Sequence, residues 1–341
     1  MIVERLIILQ ELEKVMPGLS SKDIIEQSSC FLFSGGSVHT FNDEIYCQQK
    51  TTLGKLLDGI AVPAEPLVNI LRKIPDESIE IKLTKTQITF KGKSKRGGIR
   101  IQTEVTSPYE SVGKAKKWIE CHHDVPKAFG FVKACASTSQ DQFHLTCVHV
   151  TSEHIEACDN YQISRYTLAT GVKESFLLRA ASASHIAPLD MTSICLSAGW
   201  VHFRNESNLQ ISCRRYPDNE YPNLDDIFKV KGKKITLSKA LTNAVDRVSL
   251  FAKDVEDTVL ITVHLHENKM KLRGESIVGW FAETTRIKYS GPEVQFKIPP
   301  EQLIQIANNY EQCIVSSNRL KIKGSNRVYV TCLEEIKKDE E

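Results

Sequence analysis

Residues 156–166 read EACDNYQISRY and set Cys158, Asp159 and Tyr161 almost side by side. A thiol next to a carboxylate and a phenol offers a nucleophile, an orienting group and an acid, provided that a base such as His185 comes within reach. No spacing in the chain places that histidine beside the thiol, so a cysteine hydrolase has only its residue types in its favour. The bland alternative is a hairpin. Ile155 and Ala157 alternate into an Asp159-Asn160 turn, Tyr161 and Ile163 alternate out of it, and an Asp-Asn pair favours positive φ in short turns. Cys121-His122-His123 and the alternating His264 and His266 offer imidazoles to a metal, but no CxxC pair or compact carboxylate completes a set. A GxxxxGK[ST] phosphate loop is absent, so ATP hydrolysis has no site. The expectation is a protein that is not an enzyme and uses no metal and no cofactor.

A chain of 341 residues is too long for one small core and must be partitioned into domains. Hydrophobic residues at 41% and charged residues at 25% are ordinary for a soluble globular protein, and no apolar run reaches the length of a bilayer span. The opening MIVERLIILQELEK places Glu and Arg before and inside its apolar stretch, unlike a signal peptide, so a cytoplasmic location and no membrane partner are expected. The ten cysteines are scattered irregularly, and several fall within apolar strand patterns, which favours reduced, buried thiols over disulfides. A formal charge of +2 does not by itself argue for nucleic acid; only the placement of the charges can.

A repeat positions these residues. Ile8, Leu9, Leu12, Val15 and Met16 share a helical face that ends at Pro17-Gly18, and three alternating runs follow: SCFLFS, SVHTF and EIYCQQKT. A second helix, from about Ala64 to Lys73, leads into SIEIKL, QITFKG and GIRIQTEV. The order recurs, with helices starting near Glu4, Ala64, Pro126, Ala180, Ser238 and Pro300 at intervals of about 60 residues; Asp124 is placed as the cap of the third. Six such units pair into three domains, 1–113, 114–228 and 229–341, divided at the polar stretches 107–117 and 214–234. The fold class is α+β, with two helices and two antiparallel four-stranded sheets in each domain.

If every helix lays its apolar face on the sheets, the opposite faces carry Lys14, Arg72, Lys73, Lys127, Lys133, Arg179, Lys239 and Arg247. Each alone reads as an ordinary solvated charge. Together they suit contact with duplex phosphate without base readout, and no zinc finger, recognition-helix pair or aromatic binding face points to sequence-specific binding.

At this level the chain resembles the beta sliding clamp of bacterial DNA polymerase III and its phage relatives, over essentially its whole length. The family's Ala-Thr-Asp-Gly-His-Arg-Leu signature is matched by Ala157, Cys158, Asp159, Asn160, Tyr161, Gln162 and Ile163. Its Glu-Phe-Pro-Asp-Tyr exit from the middle domain is matched by Glu220, Tyr221, Pro222, Asn223 and Leu224. NAVDRVSL at 243–250 resembles the opening of the third domain, and FNDEI at 41–45 a hairpin of the first. The resemblance implies three tandem clamp-type domains in a crescent that dimerises head to tail into a ring, with the helices lining the hole.

It also implies a ring-shaped homodimer that encircles duplex DNA without sequence preference and tethers the replicative DNA polymerase, as a processivity factor. Polymerase and clamp loader would dock by short peptides in a pocket of Leu145, Cys158, Asn160, Tyr161, Gln162, Ile163, Pro222, Leu224, Asp226, Ile227, Val330 and Thr331. Leu145 and Ile163 serve equally well as plain core. Tyr161 stands where the family usually has histidine, Gln162 where it has arginine and Asp226 where a basic residue is common, which points to a different preferred peptide. The tail EEIKKDEE extends past the family's usual end. The alternative is a scaffold of the same fold that binds proteins but does not encircle DNA.

Overall fold

In the computed structural model, residues 1–20, 25–106, 108–238, 240–252 and 259–336 are described. Among them are six α-helices: α1 (Arg5–Glu13), α2 (Ala64–Lys73), α3 (Val125–Val132), α4 (Ala180–Ile186), α5 (Ala240–Ser249) and α6 (Pro300–Asn309). They pack as α1 on α2, α3 on α4 and α5 on α6. The strands form four antiparallel sheets, which makes the fold α+β, as the repeat predicts.

Each helix buries the stripe that its sequence announces. In α1 these residues are Ile8, Leu9 and Leu12; in α2, Ala64, Leu67, Val68 and Leu71; in α5, Leu241, Ala244, Val245 and Val248. After α1 a short turn at Met16–Gly18 brings the backbone hard against the strand Ser37–Phe41. A Cβ on Gly18 would lie 2.3 Å from Thr40 Oγ1 and 2.8 Å from the Thr40 carbonyl, so only glycine fits there. Asp124 occupies the N-cap of α3, but it has αR backbone angles and makes no side-chain cap bond. Its carboxylate turns to Lys127 Nζ at 2.9 Å, so the expected cap acts only through its backbone carbonyl, which accepts from the Ala128 N–H.

The chain divides into two compact units. The first comprises Met1–Ala134, Ser139–Ile155 and Leu168–Glu220. It contains a four-stranded sheet in the order Ile2–Glu4, Ser78–Leu83, Gln87–Lys91, Arg96–Arg100. Its eight-stranded sheet runs Ile60–Pro63, Cys30–Ser34, Ser37–Phe41, Ile45–Lys50, Gln210–Arg214, Trp200–Arg204, Ser193–Ser197, Ile119–Glu120. Two four-stranded halves thus join where Ile211 faces Cys47 and Ser212 faces Tyr46. Side-chain alternation encodes the faces of each half, whereas the joint uses main-chain groups, which carry no sequence signature.

The second unit comprises Cys135–Thr138, Glu156–Thr167 and Tyr221–Glu341. Within it the strand Gln162–Thr167 pairs with Arg327–Cys332, and the ladder continues through Arg319–Lys323 and Gln312–Val315 to Lys233–Thr236. A five-stranded sheet runs Gly279–Arg286, Lys269–Ser276, Ile261–His266, Val294–Ile298, Glu334–Glu335. The start of the charged tail is therefore an edge strand; the end of that tail, 337–341, lies outside the described residues. Helices α5 and α6 share one core with these strands, through Val245, Leu303, Ile261 and Phe296 among others.

All ten cysteines are free thiols, nine of them buried. Two histidines are buried in the large sheet of the first unit. His202 sits between Ser197 Oγ and Ser212 Oγ, each at 2.8 Å, and burial pushes its pKa from 6.5 down to about 4. His39 lies 2.8 Å from the Tyr46 hydroxyl, and burial lowers its pKa too.

A depressed folded-state pKa means that the unfolded chain takes up the proton first. The contribution of His202 is therefore complete above about pH 6.5 and is lost as the pH falls towards 4, at a cost of about 3 kcal/mol by the end of that window. Denaturant unfolding at pH 7.5 and pH 4.5 should show this loss, and His202→Gln should reduce the difference between the two conditions.

Candidate functional site

The EACDNYQISRY stretch is a hairpin between the strands His154–Cys158 and Gln162–Thr167. Its turn does not use positive φ, since neither Asp159 nor Asn160 adopts it. The Asp159 carboxylate does the work instead: Oδ1 accepts the N–H groups of Tyr161 and Gln162, both at 2.7 Å, and Oδ2 accepts Gln162 Nε2 at 3.1 Å. By contrast, the 41–45 hairpin holds Asp43 at φ +74°, with Asn42 Oδ1 accepting the N–H groups of Glu44 and Ile45. Cys158 is buried, and its thiol is pushed up to about 11, chiefly by burial. A nucleophile at neutral pH needs the opposite shift, so the thiol serves as core.

Outward from the turn, Tyr161 is 72% exposed, Asn160 is exposed, and Ile163 is buried opposite Val330. The Tyr161 carbonyl accepts the Cys332 N–H at 2.7 Å, and Thr331 pairs with Gln162 across the ladder. A polar chain runs beside this ladder. Tyr329 donates to Gln162 Oε1 at 3.0 Å, Gln302 Nε2 donates to the Tyr329 hydroxyl, and the same amide donates to Thr331 Oγ1 at 3.0 Å.

Arg165 ties the hairpin to residues 221–228. It pairs with Glu156 and with Asp225, each at 2.7 Å, and its guanidinium lies 4.7 Å from the Phe228 ring centroid. In that segment Leu224 is buried, Ile227 half-buried, and Pro222 and Asp226 exposed, with Asp226 paired to Lys229 at 2.8 Å. Gln162, Ile163, Val330 and Thr331 are thus brought together on one ladder, and Arg165 holds Leu224 and its neighbours close by. Leu145 belongs to the first unit, where it is buried in the short turn Phe143–Thr146. Sequence reasoning does not reach Arg165, Gln302 or Tyr329, and it assigns Asp159 to the turn without the side-chain acceptor role. A charged residue inside an apolar-alternating strand is the one signal that marks Arg165; nothing local marks Gln302.

The helix cations fare unevenly. Lys14 and Lys73 are exposed and Lys133 is half-buried at the end of α3. Arg72 pairs with Glu13 at 2.8 Å, Lys127 with Asp124 at 2.9 Å and Arg247 with Glu283 at 2.7 Å. Arg179 lies 3.8 Å from Glu44 and 5.6 Å from the Phe143 ring centroid. Lys239 lies outside the described residues. Four of the seven described residues already face a carboxylate, which offsets much of their positive charge. The structure also supplies the carboxylate that the sequence did not assign to the histidine pair, because ligand atoms of His122, His123 and Asp124 come within 4.8 Å of one another. The ammonium of Lys127 already occupies that carboxylate, and Cys121 stays outside the set, its buried thiol donating to the Met191 carbonyl at 3.3 Å.

Removing Arg165 would strand the buried Glu156 carboxylate. Arg165→Ala should cost about 3 to 5 kcal/mol in denaturant unfolding, and adding Glu156→Gln should recover part of that loss.

No known family profile matches the sequence, and neither does any curated protein. Solved structures do match. The beta subunit of DNA polymerase III from Thermotoga maritima superposes with a TM-score of 0.82 at 15% identity, covering 98% of this chain and 99% of that one. A DnaN sliding clamp from Pseudomonas aeruginosa, bound to griselimycin, gives 0.81 at 15% identity, and a putative beta subunit from Eubacterium rectale gives 0.80 at 16%, with the same coverage. The chain has the fold of the DNA polymerase III beta sliding clamps along nearly its full length.

Proposed function

We propose that this protein is a DNA sliding clamp, a non-catalytic polymerase accessory subunit whose two copies close into a ring around duplex DNA. The reading rests on one observation, the match of fold over 98% of the chain to proteins described as sliding clamps. Three helix pairs, one for each proposed domain (1–113, 114–228 and 229–341), accord with it. Closure would join the free edge strand Arg96–Arg100 of one copy to the free edge Gly279–Arg286 of the other. Exposed apolar side chains beside the second edge support such a contact: Ile277 at 89%, Val278 at 79% and Leu250 at 77% exposure. The replicative polymerase and its loader would dock through short peptides on the Gln162–Thr331 ladder and the 221–228 segment, with Tyr161 as the exposed aromatic contact.

A scaffold without DNA is favoured by a different observation, the ion pairs that already hold Arg72, Lys127 and Arg247. The readings separate on a nicked circular plasmid. A clamp stays bound to the circle and is released when the plasmid is cut, and Ile277→Asp with Val278→Asp abolishes retention by leaving a monomer. Retention on linear DNA with free ends excludes encirclement, and wild-type retention after charge reversal of Arg72, Lys73 and Lys133 together removes the helices from the contact.

Tyr161→Ala tests the docking site without disturbing the core, because the ring is exposed whereas Leu145 and Ile163 are buried. Polymerase stimulation should fall by about tenfold, the effect of losing one aromatic anchor of roughly 1.4 kcal/mol, with the dimer unchanged in sedimentation. Full stimulation by this variant would move the site elsewhere.

A further inference from the structure

Residues 227–240 carry five lysines and residues 312–333 carry two arginines and two lysines, with no carboxylate in either stretch, in a chain whose total charge is only +2. Strand pairing in the second unit brings both stretches onto one sheet. Leu320 and Ile322, from the strand Arg319–Lys323, lie in the core shared with α5 and α6. Alternation therefore turns Arg319, Lys321 and Lys323 to the opposite face, three cations at three successive outward positions.

This strand is paired on both sides, so it is neither of the edges assigned to ring closure. Across the ladders Lys321 faces Ile314 on one side and Val330 on the other; Ile314 in turn faces Lys234, and Val330 faces Ile163. Arg319 faces Cys332, whose N–H donates to the Tyr161 carbonyl. Lys234 and Lys321 thus stand in one cross-strand row with Val330 and Ile163 of the candidate docking site, and Arg319 and Lys323 flank that row on the same face.

No internal carboxylate offsets these cations. Lys321 Nζ donates to the Phe228 carbonyl at 2.6 Å, which orients the ammonium without neutralising it. Burial lowers the Lys321 pKa, and the charge of Lys323 lowers it further. Asp225 and Asp226, just before Phe228, are held by Arg165 and Lys229. Among the described residues no carboxylate lies within 4.0 Å of Lys234, Arg319, Lys321 or Lys323. Like charges kept close together repel, and a solvated face with no other demand on it intersperses the two signs.

We propose that Lys234, Arg319, Lys321 and Lys323 form an anion-binding strip that takes an acidic, extended peptide segment of the partner docked at Tyr161, Ile163 and Val330. Alternate side chains of an extended peptide repeat at about 6.6 Å, the same step as the outward positions of the strand, so carboxylates at every second residue meet successive cations. The Arg319 fork takes a carboxylate through two parallel hydrogen bonds. A peptide is favoured over nucleic acid because apolar groups adjoin the charges: Ile314 is half-buried within the row and Tyr161 is 72% exposed beside Cys332, and a phosphodiester backbone uses neither. That the partner is a polymerase or its loader rests on the sliding-clamp reading, whereas the acidic preference does not.

The test uses the full-length protein and a fluorescein-labelled peptide of alternating glutamate and serine followed by leucine and phenylalanine, read by fluorescence anisotropy; the control peptide has glutamine for every glutamate. The wild type should bind the acidic peptide about tenfold more tightly than the control at roughly 0.05 M salt, the combined effect of several exposed ion pairs, and the difference should shrink as salt rises. Lys234→Gln/Arg319→Gln/Lys323→Gln, which leaves the Lys321 contact with Phe228 in place, should remove the preference while its thermal unfolding and its retention on circular plasmid match the wild type. Equal affinity of the wild type for the two peptides overturns the proposal, and so does an undiminished preference in the triple variant. So does a larger loss of duplex-oligonucleotide binding than of peptide binding in that variant, which assigns the strip to nucleic acid. Failed plasmid retention by the wild type, with the acidic preference present and lost in the triple variant, supports the strip and removes the clamp reading alone.

Discussion

Main-chain pairing between strands that begin far apart in sequence holds this protein together. The Ile45–Lys50 strand meets Gln210–Arg214, and Gln162–Thr167 meets Arg327–Cys332. Each joint turns two exposed sheet edges into interior ladder, satisfying backbone groups that would otherwise template aggregation. The helices depend on this, because a helix pair needs a broad apolar surface to lie on. The second of these joints also fixes the candidate docking residues: Gln162 faces Thr331 and Ile163 faces Val330 because the two strands pair in that register.

Electrostatics are settled locally rather than by the total. Arg165 satisfies the buried Glu156 and reaches Asp225, so one guanidinium stabilises a carboxylate and anchors a connecting segment. Arg72 and Arg247 direct their charge to nearby carboxylates, Glu13 and Glu283. Neutralisation of the helix arginines depends on partners that range from 36 to 135 residues away in the chain, Glu283 for Arg247 and Glu44 for Arg179.

The helix starts were legible because their signals are local. Proline at the first turn of α3 and α6, and apolar spacing near 3.6 in α2 and α5, require no knowledge of the rest of the chain. Local signals misled where two mechanisms compete for one residue type. Aspartate suits a cap, yet Asp124 turns to Lys127; Asp-Asn suits positive φ, yet Asp159 shapes its turn through its carboxylate. Both are short acceptors surrounded by several donors, and only the folded geometry decides which donor wins.

By itself the sequence determined the alternation of helix and strands, the apolar face of each, the burial of nine cysteines and the hairpin at 156–166. These follow from side-chain chemistry repeated at periods of about two and 3.6 residues, which is written in the chain. Tertiary structure alone decided which strand edges join, which cations meet carboxylates and which side chains assemble around Gln162. Those outcomes rest on main-chain hydrogen bonds and on charges close in space but far apart in sequence, and neither leaves a periodic trace in the order of residues.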